Sequence, residues 1–144
     1  VAVLQGLDGR KMSKSYNNTI PLFEPEKRLR KAVNKIRTNL LEPGEAKDTA
    51  DSTVFQLWCA FADEAEISRM RQEFADGIAW GEAKKQLFEL INEELRDARA
   101  EYERLIDDPG HIEQVLREGA EKARSFSRPL MEQVRAAVGI RPMG

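Results

Sequence analysis

The sequence is poor in the residues that most often hold metals or form covalent cross-links. Its 144 residues include one cysteine, Cys59, and one histidine, His111. A single cysteine can form neither an internal disulfide nor a metal cluster. Because Cys59 lies beside Trp58 among apolar residues at helical spacing, we predict that it fills the core. We predict His111, just after a Pro-Gly pair, to be a solvated residue at a helix start.

Long hydrophobic runs are also missing. Hydrophobic residues make up 41% of the chain and charged residues 33%, and no apolar run approaches the ~20 residues that cross a membrane. No signal-peptide pattern opens the chain. We therefore predict a cytoplasmic protein without a membrane partner. A chain of this length can bury a sizeable core.

The net charge of −2 hides an uneven distribution. Residues 1–40 hold nine basic and three acidic residues, 41–109 hold eight and eighteen, and 110–144 hold six and four. We expect contacts with polyanions to concentrate at the two ends, because basic surfaces attract them. An ordinary solvated basic helix is the alternative for the first block.

The most informative stretch is Lys-Met-Ser-Lys-Ser at residues 11–15. Two lysines three residues apart, with hydroxyl residues around them, can set two ammonium groups and several N–H and O–H donors against one polyphosphate. Gly6 and Gly9 form a turn signal before this run, and the apolar residues 1–4 are typical of a buried parallel strand. A basic loop at such a strand end predicts a phosphate site, the alternative being a solvated surface loop.

Residues 6–18 resemble the second signature loop of the class I aminoacyl-tRNA synthetases, which activate an amino acid with ATP and load it onto tRNA. The resemblance implies that this loop closes over the β and γ phosphates of ATP, with Mg²⁺ accompanying ATP and no prosthetic group. Positioned cations stabilise the charge that builds on departing pyrophosphate. The implied catalytic residues are Lys11 and Lys14, with Lys14 the stronger candidate, and the implied ATP-binding residues are Lys11, Met12, Ser13, Lys14 and Ser15.

Three later segments, 51–58, 81–88 and 118–124, are similar to the C-terminal helical part of the tryptophan-specific members of that family. The resemblance implies part of a tryptophan–tRNA ligase, with ATP, tryptophan and tRNA(Trp) as partners and a homodimeric parent. A tyrosine-specific synthetase is the nearest alternative, although its bacterial forms usually continue into a different RNA-binding domain. A non-catalytic helical module that binds nucleic acid is the second alternative.

The first signature of the family, a His-Ile-Gly-His-like motif, does not occur in this chain. Without that motif and the nucleotide-binding sheet, we expect no adenine or tryptophan pocket here. We therefore expect a C-terminal fragment that starts just before the loop. The parent is expected to be an enzyme, whereas the fragment alone is expected to be inactive.

Helical periodicity dominates the rest of the sequence. We predict a basic helix over 26–37 and further helices starting at 51 with Asp51-Ser52 as a cap, over 64–74, over 81–106 and over 112–138. Pro129 is predicted to kink or split the last helix near Ser127. The fold class is therefore mainly α: a helical bundle, preceded by the last strand and the loop of a Rossmann-type catalytic domain.

Residues 41–50 contain Pro and Gly and little that is apolar, so we predict a flexible linker there. The predicted domains are the end of the catalytic domain over 1–40, this linker, and an α-helical anticodon-side domain over 51–144. We expect the tryptophans Trp58 and Trp80 to pack in the core rather than to stack on RNA.

The last predicted helix is the part of the C-terminal region with a positive balance, and the family resemblance assigns anticodon recognition to that region. Spacings of five, two and four residues do not give one stripe of basic residues, so some must face elsewhere. Ordinary solvated charges are the alternative for each of them. The candidates for tRNA binding are Arg117, Lys122, Arg124 and Arg128.

Overall fold

The computed structural model describes residues 3–140 and confirms the mainly α fold class. The chain divides into two compact units, Val1–Ala100 and Glu101–Gly144. A short 3₁₀ turn, Lys14–Tyr16, lies in the loop predicted to bind phosphate. The α-helices of the described part are α1 Glu26–Asn34, α2 Thr53–Phe61, α3 Glu64–Ala75, α4 Trp80–Glu94, α5 Arg96–Ile106 and α6 Pro109–Ala137.

In the first unit, α1 and α2 both pack against α4, and α3 packs against α2. Each helix buries one apolar face, as the helical spacing of its apolar residues predicts. Phe74 is fully buried, and its ring meets those of Phe55 and Trp80 edge to face at centroid distances of 5.3 and 5.6 Å. Other members of this core are Leu29, Val33, Ile36, Val54, Leu57, Trp58, Met70, Leu87, Phe88 and Ile91.

Two helix starts follow from capping side chains. The Ser52 hydroxyl accepts a hydrogen bond from the Phe55 N–H and starts α2. Asp63 and Glu66 form a reciprocal capping box at the start of α3. Each such cap satisfies an N–H group that the helix itself cannot pair.

Both tryptophans of the first unit pack as core residues. Trp58 is buried, and its indole N–H donates to the Glu66 carbonyl at 3.3 Å. Trp80 is half-buried and donates to the Asn39 side chain at 3.0 Å. Cys59, predicted to be buried, is instead exposed. The prediction was wrong because Cys59 lies about 100° around the helix from its buried neighbour Trp58.

Helix boundaries also differ from the prediction, at the end of α1 and within the helix predicted over 81–106. Helix α1 ends at Asn34, three residues early, because the chain leaves the helix and the Arg37 N–H donates to the Leu7 carbonyl at 2.8 Å. The helix predicted over 81–106 is divided at Leu95 into α4 and α5. No glycine or proline marks this break, and Leu95 packs against the core instead.

The polar segment 41–50 is fastened to the turn between α3 and α4. The Gly44 N–H donates to the Gly77 carbonyl, and the Lys47 N–H donates to the Phe74 carbonyl, both at 2.8 Å. The buried Lys47 ammonium donates to the carbonyls of Glu42 and Glu45 at 3.0 and 2.9 Å. Backbone bonds therefore fix this segment, and its role as a linker between functional domains stays a prediction.

In the second unit, Asp108 caps α6 and Pro109 occupies its first turn, so this helix begins three residues before the predicted start at 112. Helix α6 continues through Pro129 without the predicted split. Proline removes only one N–H donor, and a helix of 29 residues keeps its remaining hydrogen bonds on both sides. His111 is exposed near the helix start, as predicted.

The predicted strand at residues 1–4 lies partly outside the described residues, since Val1 and Ala2 are not among them. Val3 and Leu4 form no strand, and the β pairing found over residues 3–140 is one antiparallel bridge between Gln5 and Lys11. A strand needs neighbours to supply its hydrogen bonds. Among the described helices, none is long and apolar enough to cross a bilayer.

Candidate functional site

The loop over residues 5–18 is closed at its neck by backbone hydrogen bonds. The Leu7 N–H donates to the Asn18 carbonyl at 2.9 Å, and the Met12 N–H donates to the Leu4 carbonyl at the same distance. At the base, the Thr53 hydroxyl donates to the Gln5 side-chain oxygen at 2.6 Å. The start of α2 and the neck therefore hold the loop to the helical core.

The apex of the loop is a 3₁₀ turn over Lys14–Tyr16. The Ser13 hydroxyl caps it by accepting from the Ser15 N–H at 3.3 Å, and the two serine hydroxyls lie 2.8 Å apart. Asn17 closes the turn with a left-handed backbone (φ 50°), and its N–H donates to the Lys14 carbonyl. The Ser13 hydroxyl and the tight turn thus fix the backbone at Lys14.

The two lysines of the loop are exposed. In the described part of the chain, neither ammonium group meets a carboxylate or a hydrogen-bond acceptor, whereas Arg10 beside them pairs with Asp8 at 2.6 Å. Met12 is half-buried and packs against the core cluster. Lys11 and Lys14 therefore keep their charges available at one end of an anchored loop.

Asn18 is the central residue of this loop, and it was missed from the sequence. Its side chain is 2% exposed. The side-chain oxygen accepts from the Ser13 N–H at 2.8 Å, while the amide nitrogen donates to Asp8 at 2.7 Å and to the Lys11 carbonyl at 3.2 Å. The sequence does contain one signal for this role, because Asn18 follows the glycine-rich turn and the loop. Asn is a residue type whose short amide side chain often bonds to nearby backbone groups.

The carboxyl of Asp8 is stabilised in its charged form. The hydrogen bond from Asn18, followed by those from Arg10 and the Arg10 charge, lowers the pKa of Asp8 from 3.8 to about 2. A carboxylate that accepts several N–H bonds is a poor base at neutral pH. Asp8 therefore serves as an anchor for neighbouring donors rather than as a proton acceptor.

This pKa predicts an acid-dependent loss of stability. Because the pKa of Asp8 is lower in the folded chain than its ordinary value, its contribution is present above pH 3.8 and is lost as the pH falls through about 2. We expect NMR of the Asp8 carboxyl carbon to show titration near pH 2. The Asp8→Asn variant should lose less stability over this pH range. Titration of Asp8 near 3.8 would contradict the prediction.

A cleft of about 680 Å³ lies beside the base of the loop. Asp8 and Arg10 border it on the loop side, and Thr53 and Trp80 border it on the helical side. Lys11 and Lys14 are not among its lining residues. The cleft is therefore separate from the two predicted catalytic ammonium groups.

The four basic residues predicted to bind tRNA are all exposed on α6. Arg117, Arg124 and Arg128 are seven and four residues apart, about two turns and one turn, so they share one stripe of the helix. Lys122 lies on a different side, in agreement with the irregular spacing. Arg117 pairs with Glu113 at 2.6 Å and Arg124 with Glu121 at 3.0 Å.

Comparison with known proteins identifies the class to which the loop and helices belong. Residues 1–96 match the family of class I tRNA synthetases (W and Y). The chain belongs to this family. Its resemblance to the class I synthetases, first indicated by residues 6–18, is thereby confirmed.

Similar full-length proteins are tryptophan–tRNA ligases. The chain is 52% identical over 143 residues to that of Neisseria meningitidis, covering 99% of this chain and 43% of the relative. It is 54% identical over 144 residues to that of Xanthomonas campestris, covering 99% and 33% respectively. The chain thus spans about a third to two fifths of the length of these two relatives. Over that length, the resemblance to the tryptophan-specific enzymes is confirmed.

A solved structure shares the same fold. The tryptophanyl-tRNA synthetase from Campylobacter jejuni, complexed with ADP and tryptophan, aligns with a TM-score of 0.88 and 36% identity. The alignment covers 96% of this chain and 44% of that one. A second structure of the synthetase from this organism aligns with a TM-score of 0.87.

Proposed function

We propose that this chain forms the part of a tryptophan–tRNA ligase that holds ATP phosphates and contacts tRNA. The proposal rests on the anchored loop at residues 11–15, whose two lysines have no partner among residues 3–140, in a chain about 50% identical to tryptophan–tRNA ligases. The proposed division of roles follows the sequence: residues 1–40 end the catalytic domain, 41–50 connect, and 51–144 lie on the anticodon side. The full-length enzyme that contains this chain is called the complete ligase.

The proposed reaction is the attack of the tryptophan carboxylate on the α phosphate of ATP. Tryptophanyl-AMP forms and the bond to pyrophosphate breaks, so negative charge accumulates on the leaving group. Lys11 and Lys14 stabilise that charge, and the hydroxyls of Ser13 and Ser15 give polar support. A cation placed for this developing charge stabilises the transition state more than the ground state.

Magnesium would enter this reaction bound to ATP. Mg²⁺ in such sites is held mainly by substrate phosphates and water. The described residues contain no group of three carboxylate, imidazole or thiol side chains that could hold a metal. In this proposal the ion stays bound to the phosphates of ATP.

The partners of the complete ligase follow from the same proposal. They are ATP, tryptophan and tRNA(Trp), with tryptophan bound outside this chain and tRNA contacted by the basic residues of α6. We also propose a homodimeric enzyme that acts in the cytoplasm. The family includes both tryptophan and tyrosine specificities, so tyrosine is the amino acid against which the specificity is tested.

An exchange assay tests this function. We expect the complete ligase to incorporate labelled pyrophosphate into ATP with tryptophan and to give roughly 10²-fold less exchange with tyrosine, because a buried site rejects a mismatched side chain strongly. The 144-residue chain alone should give no exchange. Preference for tyrosine would transfer the proposal to the tyrosine-specific ligases, and absence of exchange with either amino acid would refute it.

A further inference from the structure

The side chain of Asn18 ties together three separate points of the loop. It accepts from the Ser13 N–H and donates to the Asp8 carboxylate and to the Lys11 carbonyl. The backbone N–H on one side requires an oxygen, and the carboxylate and carbonyl on the other side require an N–H donor. The amide of Asn18 therefore has one orientation, and its polar atoms are all paired.

Gly6 packs directly against this side chain. A Cβ atom at Gly6 would lie 2.5 Å from the Asn18 side chain and from its carbonyl oxygen. The Asn18 carbonyl also accepts the Leu7 N–H that closes the neck. Side chain and backbone of Asn18 are thus fixed between Gly6 and the residues that precede the loop apex.

We propose that Asn18, held by Asp8, is the positioning residue that fixes the backbone from Lys11 to Ser13 and so aims both lysines at one pyrophosphate group. The inference rests on the proposed function. Asn18 is buried beneath the loop and acts through Lys11 and Lys14, so it contributes geometry rather than charge. Fixing these groups before ATP binds lowers the entropic cost of assembling the site.

The charges around Asp8 determine which substitutions are informative. Arg10 pairs with Asp8 directly, and Arg37, Asp48 and Asp51 border the same cleft. The Asn18→Asp variant retains an acceptor for Ser13 but sets a second carboxylate against Asp8, where the native amide lies at 2.7 Å. Like charges at this distance repel, and the donor to the Lys11 carbonyl is lost.

The test uses the complete ligase and a swap of the two side chains. We expect Asn18→Asp to lower kcat for tryptophan-dependent exchange at least tenfold, with tryptophan affinity unchanged, because small misplacements of catalytic groups cost up to ~10²-fold. The double variant Asp8→Asn with Asn18→Asp restores an amide–carboxylate bond but not the donor to the Lys11 carbonyl, so it should regain part of that loss. Asp8→Asn alone keeps a neutral acceptor and is the matched control, with a smaller effect.

Each result has a distinct meaning. Exchange by Asn18→Asp within twofold of the native enzyme overturns the positioning role while leaving the proposed function intact. Failure of the swap to improve on Asn18→Asp, with unchanged tryptophan binding as evidence of folding, also overturns it. If the native enzyme shows no tryptophan-dependent exchange, the proposed function fails instead. A fall in kcat that the swap partly reverses supports the positioning role.

Discussion

The Lys14→Ala variant of the complete ligase should lose at least ~10²-fold in tryptophan-dependent ATP–pyrophosphate exchange, with little change in tryptophan affinity. Lys14 begins the 3₁₀ turn at the loop apex, and its ammonium is exposed and unpaired among the described residues. Removing a donor that acts on developing charge lowers kcat, whereas loss of ordinary binding raises KM. Steady-state exchange over a range of ATP concentrations separates the two effects.

The matched control is Lys85→Ala, which removes one exposed lysine from α4. Its exchange rate should stay close to that of the native enzyme, because an exposed helix residue outside the loop contributes little. The assignment of the loop would be refuted if Lys14→Ala exchanged normally. Equal losses in both variants would instead indicate a general effect of positive charge on ATP binding.

Replacing Arg117, Lys122, Arg124 and Arg128 together by Gln should weaken tRNA binding about 10³-fold at 0.1 M salt. Each lost phosphate contact reduces the slope of log affinity against log salt by roughly 0.7–0.9, so loss of the three arginines on one stripe reduces it by roughly 2–2.7, and a fourth contact by Lys122 brings the reduction to about 3. Arg117 and Arg124 must exchange their glutamate partners for phosphates, which is inexpensive because exposed ion pairs are weak. Exchange with tryptophan should remain nearly intact.

A control with the same change in charge separates specific contacts from bulk electrostatics. It replaces the basic residues Arg69, Arg71, Lys84 and Lys85 of α3 and α4 by Gln. This variant should retain most of the salt slope. An unchanged slope and normal tRNA charging in the α6 variant would show that tRNA is held elsewhere, with residues 41–50 the next region to test.

The fold could be predicted where local pattern and tertiary packing agree. Ser52 as a cap and the end of the helical pattern at Ile106 were predicted correctly because each signal is complete within a few residues. The early end of α1 could not be predicted, since the Arg37 N–H donates to the carbonyl of Leu7, thirty residues away. The break at Leu95 likewise depends on packing against the core rather than on a local breaker.

Prediction from the sequence has the same limit for the residues of the loop. Lys11 and Lys14 stand out in the sequence because they belong to a short string of distinctive chemistry, and their catalytic role stays a prediction. Asn18 does not stand out, because its importance comes from three partners brought together only when the loop closes. Sequence reasoning finds groups that carry charge more readily than groups that hold backbone in place.

The contact between Gly44 and Gly77 has a consequence for how this protein can change over evolution. Gly77 has a positive φ of 86°, and a Cβ there would lie 2.4 Å from the carbonyl carbon of Gly44. A side chain at position 77 therefore requires the backbone around Gly44 and Glu45 to move away. Among related sequences, we expect a change at position 77 to be accompanied by a change at positions 44–45. Paired changes at these positions should therefore be tolerated more often than single ones.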